Sequence, residues 1–185
     1  MTGEAPAPRA SAGVRRWVVV AAAVVALAFG AWVARSLMTG GAGRDASTLL
    51  AVSLPDVAGT EQPLAQWKGK LLVVNFWATW CAPCREEMPM FVEAQKAHGD
   101  KGLQFVGIAV DDAPKVRQFA EQIGLNYPAL VGGYGAMELS RTLGNSLMAL
   151  PFTVVVGRDG AVMLTHLGPL KREQLDRLVD QGLAP

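Results

Sequence analysis

Val73-Val74-Asn75-Phe76-Trp77-Ala78-Thr79-Trp80-Cys81-Ala82-Pro83-Cys84-Arg85-Glu86-Glu87-Met88-Pro89 is the stretch that decides the fold. Its first part belongs to Leu71–Trp77 (LLVVNFW), a nearly continuous apolar run of strand length, as expected of a central strand covered on both faces. From Pro83 to His98 the pattern changes, with Met88, Phe91, Val92 and Gln95 recurring at helical spacing. Cys81 and Cys84, the two cysteines of the chain, stand where strand gives way to helix.

That position favours chemistry over cross-linking. A sulfur at a helix start faces unpaired backbone N–H groups and the positive end of the helix. Both favour thiolate and lower a cysteine pKa from its free value of about 8.5. Cys84, one turn further in, is placed to resolve a mixed disulfide formed on Cys81. As a structural staple the pair is poor: a four-residue loop constrains the unfolded chain by only about 2 kcal/mol, against nearly 5 for a hundred-residue loop. Neither a metal nor a cofactor is expected.

Upstream, Trp17 to Ala34 is a run of uncharged residues (WVVVAAAVVALAFGAWVA). At about 1.5 Å per residue it reaches roughly 27 Å, close to the ~30 Å hydrocarbon core of a bilayer. Trp17 and Trp32 lie near its ends, Arg9, Arg15 and Arg16 precede it, and Arg35 and Arg44 follow. This favours a single-pass anchor with a cytoplasmic N-terminus and an exported C-terminal domain. A cleaved signal peptide, with Ala26-Leu27-Ala28 at the cleavage site, is the alternative; its apolar run is usually shorter. Expected boundaries are a tail over residues 1–16, the anchor over 17–38, a Gly- and Ser-containing linker over 39–47, and one domain over 48–185.

The 185 residues carry 17 Lys+Arg against 16 Asp+Glu, so no electrostatic case exists for nucleic-acid binding. Within the domain, Leu49–Ala58 and Gln62–Leu64 are expected to form a short hairpin about Gly59-Thr60, followed by a helical turn at Ala65–Lys68. Leu103–Val110 reads as a second buried strand, Ala113–Ile123 as a helix, Ala129–Val131 as a short strand and Ala136–Leu143 as a short helix. Gly132-Gly133-Tyr134-Gly135 reads as a plain loop. Phe152–Val156 and Val162–Leu167 form a hairpin around Arg158-Asp159-Gly160, and Lys171–Val179 is an amphipathic helix. Such an order implies an α/β fold with a mixed central sheet flanked by helices.

The quoted stretch resembles the active-site strand and helix of ResA/TlpA-type thioredoxins, whose pattern is roughly NFWxxWCxPCxxExP. Leu150-Pro151-Phe152-Thr153, Gly160 and Gly168 extend the resemblance over residues 49–183. It implies a thioredoxin-like fold, a redox-active Cys81–Cys84 disulfide, and a cis Pro151 beside a substrate groove that Trp80, Pro83 and Leu150 also line. Asn75 stands where thioredoxins proper carry a buried Asp. Asn does not titrate, so Glu87, on the helix face of Cys84 and matching the family's glutamate, is the expected acid–base group. Pro89 removes an amide inside the helix.

Members of that family are reductases of extracytoplasmic disulfides, fed by a membrane thiol-electron transporter and acting on apocytochrome c or copper-site thiols. Catalysis is accordingly expected from Cys81, Cys84 and Glu87. The alternatives are a general disulfide oxidase or isomerase, and a copper metallochaperone using Cys81, Cys84 and His166. The second fits less well, because copper-delivering thioredoxin-fold proteins carry CxxxC rather than CxxC.

Overall fold

A computed structural model of the chain describes residues 46–184 together with residues 17, 18, 22, 25, 26, 29 and 30. Those seven positions are helical and exposed. The rest of the expected tail and anchor, and the linker up to residue 45, lie outside the described residues. Among the described residues no helix is long and apolar enough to cross a membrane. Two units divide the chain, Met1–Ala42 and Gly43–Pro185, and the elements below belong to the second.

In chain order these are α1 (Ser47–Leu50), β1 (Ser53–Pro55), β2 (Glu61–Pro63), a 3-10 turn (Leu64–Trp67), β3 (Leu71–Trp77), α2 (Ala82–His98), β4 (Leu103–Ala109), α3 (Ala113–Gln122), β5 (Ala129–Val131), α4 (Gly133–Thr142), β6 (Phe152–Val156), β7 (Val162–Leu167) and α5 (Arg172–Leu183). The main sheet runs β5-β4-β3-β6-β7. β3, β4 and β5 are parallel, β6 is antiparallel to β3, and β7 is antiparallel to β6. This mixed sheet between helices is the arrangement of a thioredoxin-like fold.

All seven residues of β3 are buried, as its apolar run requires. Leu71, Val73 and Trp77 join one core with Met88 and Phe91 of α2, Val116 and Phe119 of α3, and Leu175 and Val179 of α5. Leu72, Val74 and Phe76 point the other way, into a second core with α1 and α4. Each such side chain taken from water contributes roughly 1.5–3 kcal/mol, which makes β3 the spine of the domain.

Four local expectations need correction. Leu49 and Leu50 lie in α1, not in a hairpin strand; Leu49 is fully buried against the 3-10 turn, and Leu50 N–H bonds back to Ala46 O at 2.8 Å. Ala46, expected in the linker, is itself buried. Gly133 to Gly135 are the first turn of α4 rather than a loop. The cause is close packing: a Cβ on the preceding Gly132 would sit 2.7 Å from Ala136 Cβ and 3.2 Å from Ile108 Cγ2. α5 runs past Val179 to Leu183, where Gly182 lies so close to Leu71 that a Cβ would meet its side chain at 2.3 Å.

Candidate active site

β3 ends at Trp77, and residues 78–81 carry the chain to the start of α2. Thr79 Oγ1 donates to Asp111 Oδ2, bracing this segment against the residues that follow β4. Lys115 completes the brace with an ion pair to Asp111 at 3.2 Å. Cys81 is the N-cap of α2, in extended conformation, with Ala82 and Pro83 opening the helix. Its Sγ accepts the N–H of Cys84 at 3.3 Å, a direct interaction with one of the orphan donors of a helix start. The first turn of α2 holds no acidic residue to oppose negative charge on that sulfur. Cys81 and Cys84 are joined as a disulfide with Cα atoms 5.3 Å apart. Cys81 is recessed at 6% exposure, and Cys84 is fully buried.

Glu87 lies one turn beyond Cys84 and is 4% exposed. Its two oxygens each accept one hydrogen bond: Oε1 from Asn75 Nδ2 at 2.9 Å and Oε2 from the backbone N–H of Leu170 at 2.7 Å. Burial raises its pKa above the usual carboxylate value, and the bonds from Leu170 and Asn75 only partly oppose this, leaving it pushed up to about 7. The Asn75 amide also donates to Thr153 Oγ1 at 3.0 Å, across the β3–β6 register. Asn75 Oδ1, Trp77 Nε1 and Tyr127 OH are buried without a hydrogen-bond partner among the described residues. Burial, and then the charge of Glu87, raise the Tyr127 pKa, so its phenol stays neutral.

The Leu150–Pro151 peptide bond is cis. Pro151 is buried immediately before β6, whose Phe152 pairs with Phe76 of β3, so it sits at the same sheet edge as the cysteines. Leu150 packs against the core that contains Cys81 and Cys84. Pro83 is half-buried, and Trp80 is 67% exposed beside Cys81. His166 pairs with Thr153 in β7, with Nε2 3.4 Å from Pro169 O. Among the described residues no three or more His, Cys, Asp or Glu side chains gather as a metal site.

Two groups that hold Glu87 escaped the sequence reading: Thr153, through Asn75, and the Leu170 amide. A signal existed for the first. Asn75 and Thr153 are polar residues inside otherwise apolar strands, and two such positions in one sheet tend to satisfy each other. Nothing local marks Leu170, whose contribution is a backbone amide 83 positions from Glu87.

A family profile described as Redoxin matches residues 44–181. Thioredoxin-like protein YneN of Bacillus subtilis (strain 168) is 33% identical over 132 residues, covering 69% of this chain and 74% of its own. Thiol-disulfide oxidoreductase ResA of Bacillus thuringiensis subsp. konkukian (strain 97-27) is 32% identical over 122 residues, covering 65% and 68%. Among solved structures, a thiol:disulfide interchange protein of the thioredoxin family from Chlorobium tepidum TLS superposes with a TM-score of 0.66 at 32% identity. That match covers 72% of this chain and 93% of the other.

Proposed function

Because the chain belongs to the Redoxin family, we infer that Cys81 and Cys84 form the redox centre of a thiol–disulfide oxidoreductase that reduces protein disulfides on the extracytoplasmic side of a membrane. The observation that carries this reading is the Cys81–Cys84 disulfide at the start of α2 with the buried carboxyl of Glu87 one turn beyond. Relatives bearing the name thiol-disulfide oxidoreductase support it.

In the reduced protein the Cys81 thiolate attacks one sulfur of a substrate disulfide. A mixed disulfide forms, and the other substrate sulfur leaves as thiolate and takes a proton from water. Cys84 then loses its proton and attacks Cys81 Sγ, closing the intramolecular disulfide and releasing the second substrate sulfur. Two electrons pass from the dithiol to the substrate. With a pKa of about 7, Glu87 is partly ionised at neutral pH, so its carboxylate accepts the Cys84 proton and its acid form returns one to the leaving sulfur. The Leu170 and Asn75 donors hold that carboxylate in place.

Direction follows from the active-site turn. Ala82 and Pro83 add neither a side-chain donor nor a cation that would stabilise the reduced form strongly, as a powerful oxidant requires. The substrates are disulfides of apocytochrome c or of copper-site proteins, and a membrane thiol-electron transporter regenerates the dithiol, as the family resemblance implies. Equilibration with a thiol redox buffer tests the direction. A reduction potential near about −270 mV fits a reductase, and one near about −120 mV sinks the reading in favour of an oxidase.

A further inference from the structure

Thr153 of β6, Asn75 of β3, Gly107 of β4 and Ala129 of β5 are register neighbours, a row that crosses the sheet on the face that α2 covers. Asn75 Oδ1, Trp77 Nε1 and Tyr127 OH are buried without a hydrogen-bond partner among the described residues. All three belong to side chains that surround Gly107. A Cβ on Gly107 would lie 2.8 Å from Trp77 Nε1 and 3.6 Å from Tyr127 Cε2, the ring carbon next to the one that bears the hydroxyl. Asn75 turns Nδ2 toward Thr153 on the β6 side, at 3.0 Å. The opposite arm of that planar amide, Oδ1, therefore points toward β4, where Gly107 is its register partner.

The three atoms differ in kind: the indole N–H only donates, the amide oxygen only accepts, and the phenol does both. Buried polar atoms are paired in almost all folded proteins, and where no protein group reaches them an ordered water does so. Water suits this set, since it accepts from Trp77, donates to Asn75 and shares a hydrogen bond with Tyr127. That makes about three hydrogen bonds, the usual number for a buried water. Any side chain at position 107 would take its place. Beyond Tyr127, at the β5 edge of the sheet, lies a cleft of about 340 Å³ lined by Asp56, Gln62, Leu125, Tyr127, Pro128 and Ala129. Tyr127 is 7% exposed and also belongs to the core around the cysteines. On that inner side the charge of Glu87 reaches its phenol.

We propose that Asn75, Trp77, Gly107 and Tyr127 form a binding site for a water molecule, and that this water and the Tyr127 hydroxyl carry protons between Glu87 and the cleft at the β5 edge. In the outward direction the Glu87 O–H bond breaks and its proton passes to the relay. The relay releases a different proton to solvent in the cleft, and Glu87 is left as a carboxylate. Nothing is oxidised or reduced, and the inward direction is the reverse. Such a path matters because Glu87 is 4% exposed, with one oxygen held by Asn75 and the other by Leu170. A substrate joined to Cys81 covers the cysteine side as well. A Glu87 that is protonated at that moment accepts nothing from Cys84 until it has lost its own proton. The route past Gly107 and Tyr127 leaves through the opposite edge of the sheet and does not cross the covered side. This inference rests on the redox reading of Cys81 and Cys84 and adds how their acid–base group exchanges protons.

The test combines a crystal structure that resolves ordered water with carboxyl carbon NMR of Glu87 in the full-length oxidised protein. The crystal is expected to hold a water within hydrogen-bond reach of Trp77 Nε1, Asn75 Oδ1 and Tyr127 OH. A dry site, or direct bonds among the three side chains, would overturn the proposal. Relaxation dispersion at the midpoint of the Glu87 titration reads how fast its proton comes and goes. Tyr127→Phe keeps the ring and removes the hydroxyl, and is expected to slow that exchange about tenfold or more. Imidazole, a small proton carrier that fits the cleft, is expected to restore much of the lost rate. Gly107→Ala, which fills the water site, should slow the exchange as well. An exchange rate unchanged in Tyr127→Phe, even with a shifted midpoint, would make Tyr127 a structural neighbour only and sink the relay. Failure of glutathione disulfide to oxidise the reduced protein would instead remove the redox reading, while the water site would still be decided by the crystal.

Discussion

Asn75 Nδ2 donates to Glu87 Oε1 at 2.9 Å, joining the strand before the cysteines to the helix after them inside the core. The same nitrogen donates to Thr153 Oγ1 at 3.0 Å, and the second carboxyl oxygen takes the Leu170 N–H at 2.7 Å. One carboxyl group therefore has contacts from β3, from the turn before α5 and, through Asn75, from β6. With both amide hydrogens committed, Asn75 Oδ1 is left buried without a partner among the described residues. The arrangement suits an ionised Glu87, whose oxygens both accept.

Removing that donor shifts the Glu87 titration. Asn75→Leu fills the space with apolar atoms and takes away one of the two bonds that oppose the effect of burial, so the Glu87 pKa moves further up. Stability changes little or falls by about 1–3 kcal/mol, because the partners of the lost amide stay buried. Carboxyl carbon NMR of Glu87 against pH reads the shift. Identical titration curves in the two proteins would show that Asn75 does not control the carboxyl.

A second consequence concerns stability against pH. The Glu87 pKa rises from 4.5 to about 7 on folding, so between those values the folded state holds a proton that the unfolded state has released. This contribution is fully present below about pH 4.5 and is lost as pH rises through about 7, on the order of 3 kcal/mol in all. Glu87→Gln removes the dependence. Urea unfolding of the oxidised proteins should show the difference, Glu87→Gln minus wild type, growing in favour of the variant from pH 5 to 8. A difference that stays constant with pH would mean that the carboxyl is not buried in the folded state.

How much of this was legible beforehand varied with the reach of the signal. Leu71–Trp77, Ala129–Val131, Phe152–Val156 and Val162–Leu167 match their expected limits, because an apolar run or a hairpin turn such as Arg158-Asp159-Gly160 is a local pattern. Leu49 and Leu50 were misplaced because two apolar residues have no period to distinguish helix from strand. Gly132 to Gly135 look like a loop by composition, and only the contact of Gly132 with Ala136 and Ile108 explains their place at a helix start. Glu87 was legible as a candidate from its helix spacing, yet its partners were not, since Asn75 is 12 positions away and Leu170 is 83.

Gly107 offers a test of packing in the same row. It pairs with Asn75 in β4, and the Trp77 indole lies over it, so that an added Cβ would meet Nε1 at 2.8 Å. That contact involves a ring already packed against Phe119 at a 5.4 Å centroid distance, so relief requires moving both aromatics. Gly107→Ala should lower stability by about 1–3 kcal/mol and alter the near-ultraviolet dichroism of the tryptophans. An unchanged melting temperature and spectrum would place Trp77 elsewhere.

Topology rests on Trp17–Ala34 and its arginine flank. The chain should fractionate with membranes, and protease added to right-side-out inner-membrane vesicles should digest the domain that begins near Ala46. Protection of the domain in intact vesicles would reverse the orientation. A soluble product beginning shortly after Ala28 would replace the anchor with a cleaved signal.

The cysteines differ in a way that assigns their order of action. Both are recessed, but Cys81 retains 6% exposure while Cys84 has none, and only Cys81 has its sulfur at the N–H groups of the helix start, accepting from Cys84 N–H at 3.3 Å. The attacking sulfur must be reached by substrate and must ionise readily; both requirements select Cys81. Cys84 then has one partner within reach, the Cys81 sulfur, across the 5.3 Å that separates their Cα atoms. Cys84→Ser should therefore accumulate mixed disulfides through Cys81, because the resolving thiol is gone, whereas Cys81→Ser should trap nothing. Non-reducing electrophoresis and mass spectrometry of complexes formed with a peptide disulfide separate the two. Adducts carried by Cys84 in Cys81→Ser, at a rate comparable to that of Cys81 in Cys84→Ser, would mean that the buried sulfur is the nucleophile and that the helix opens to expose it.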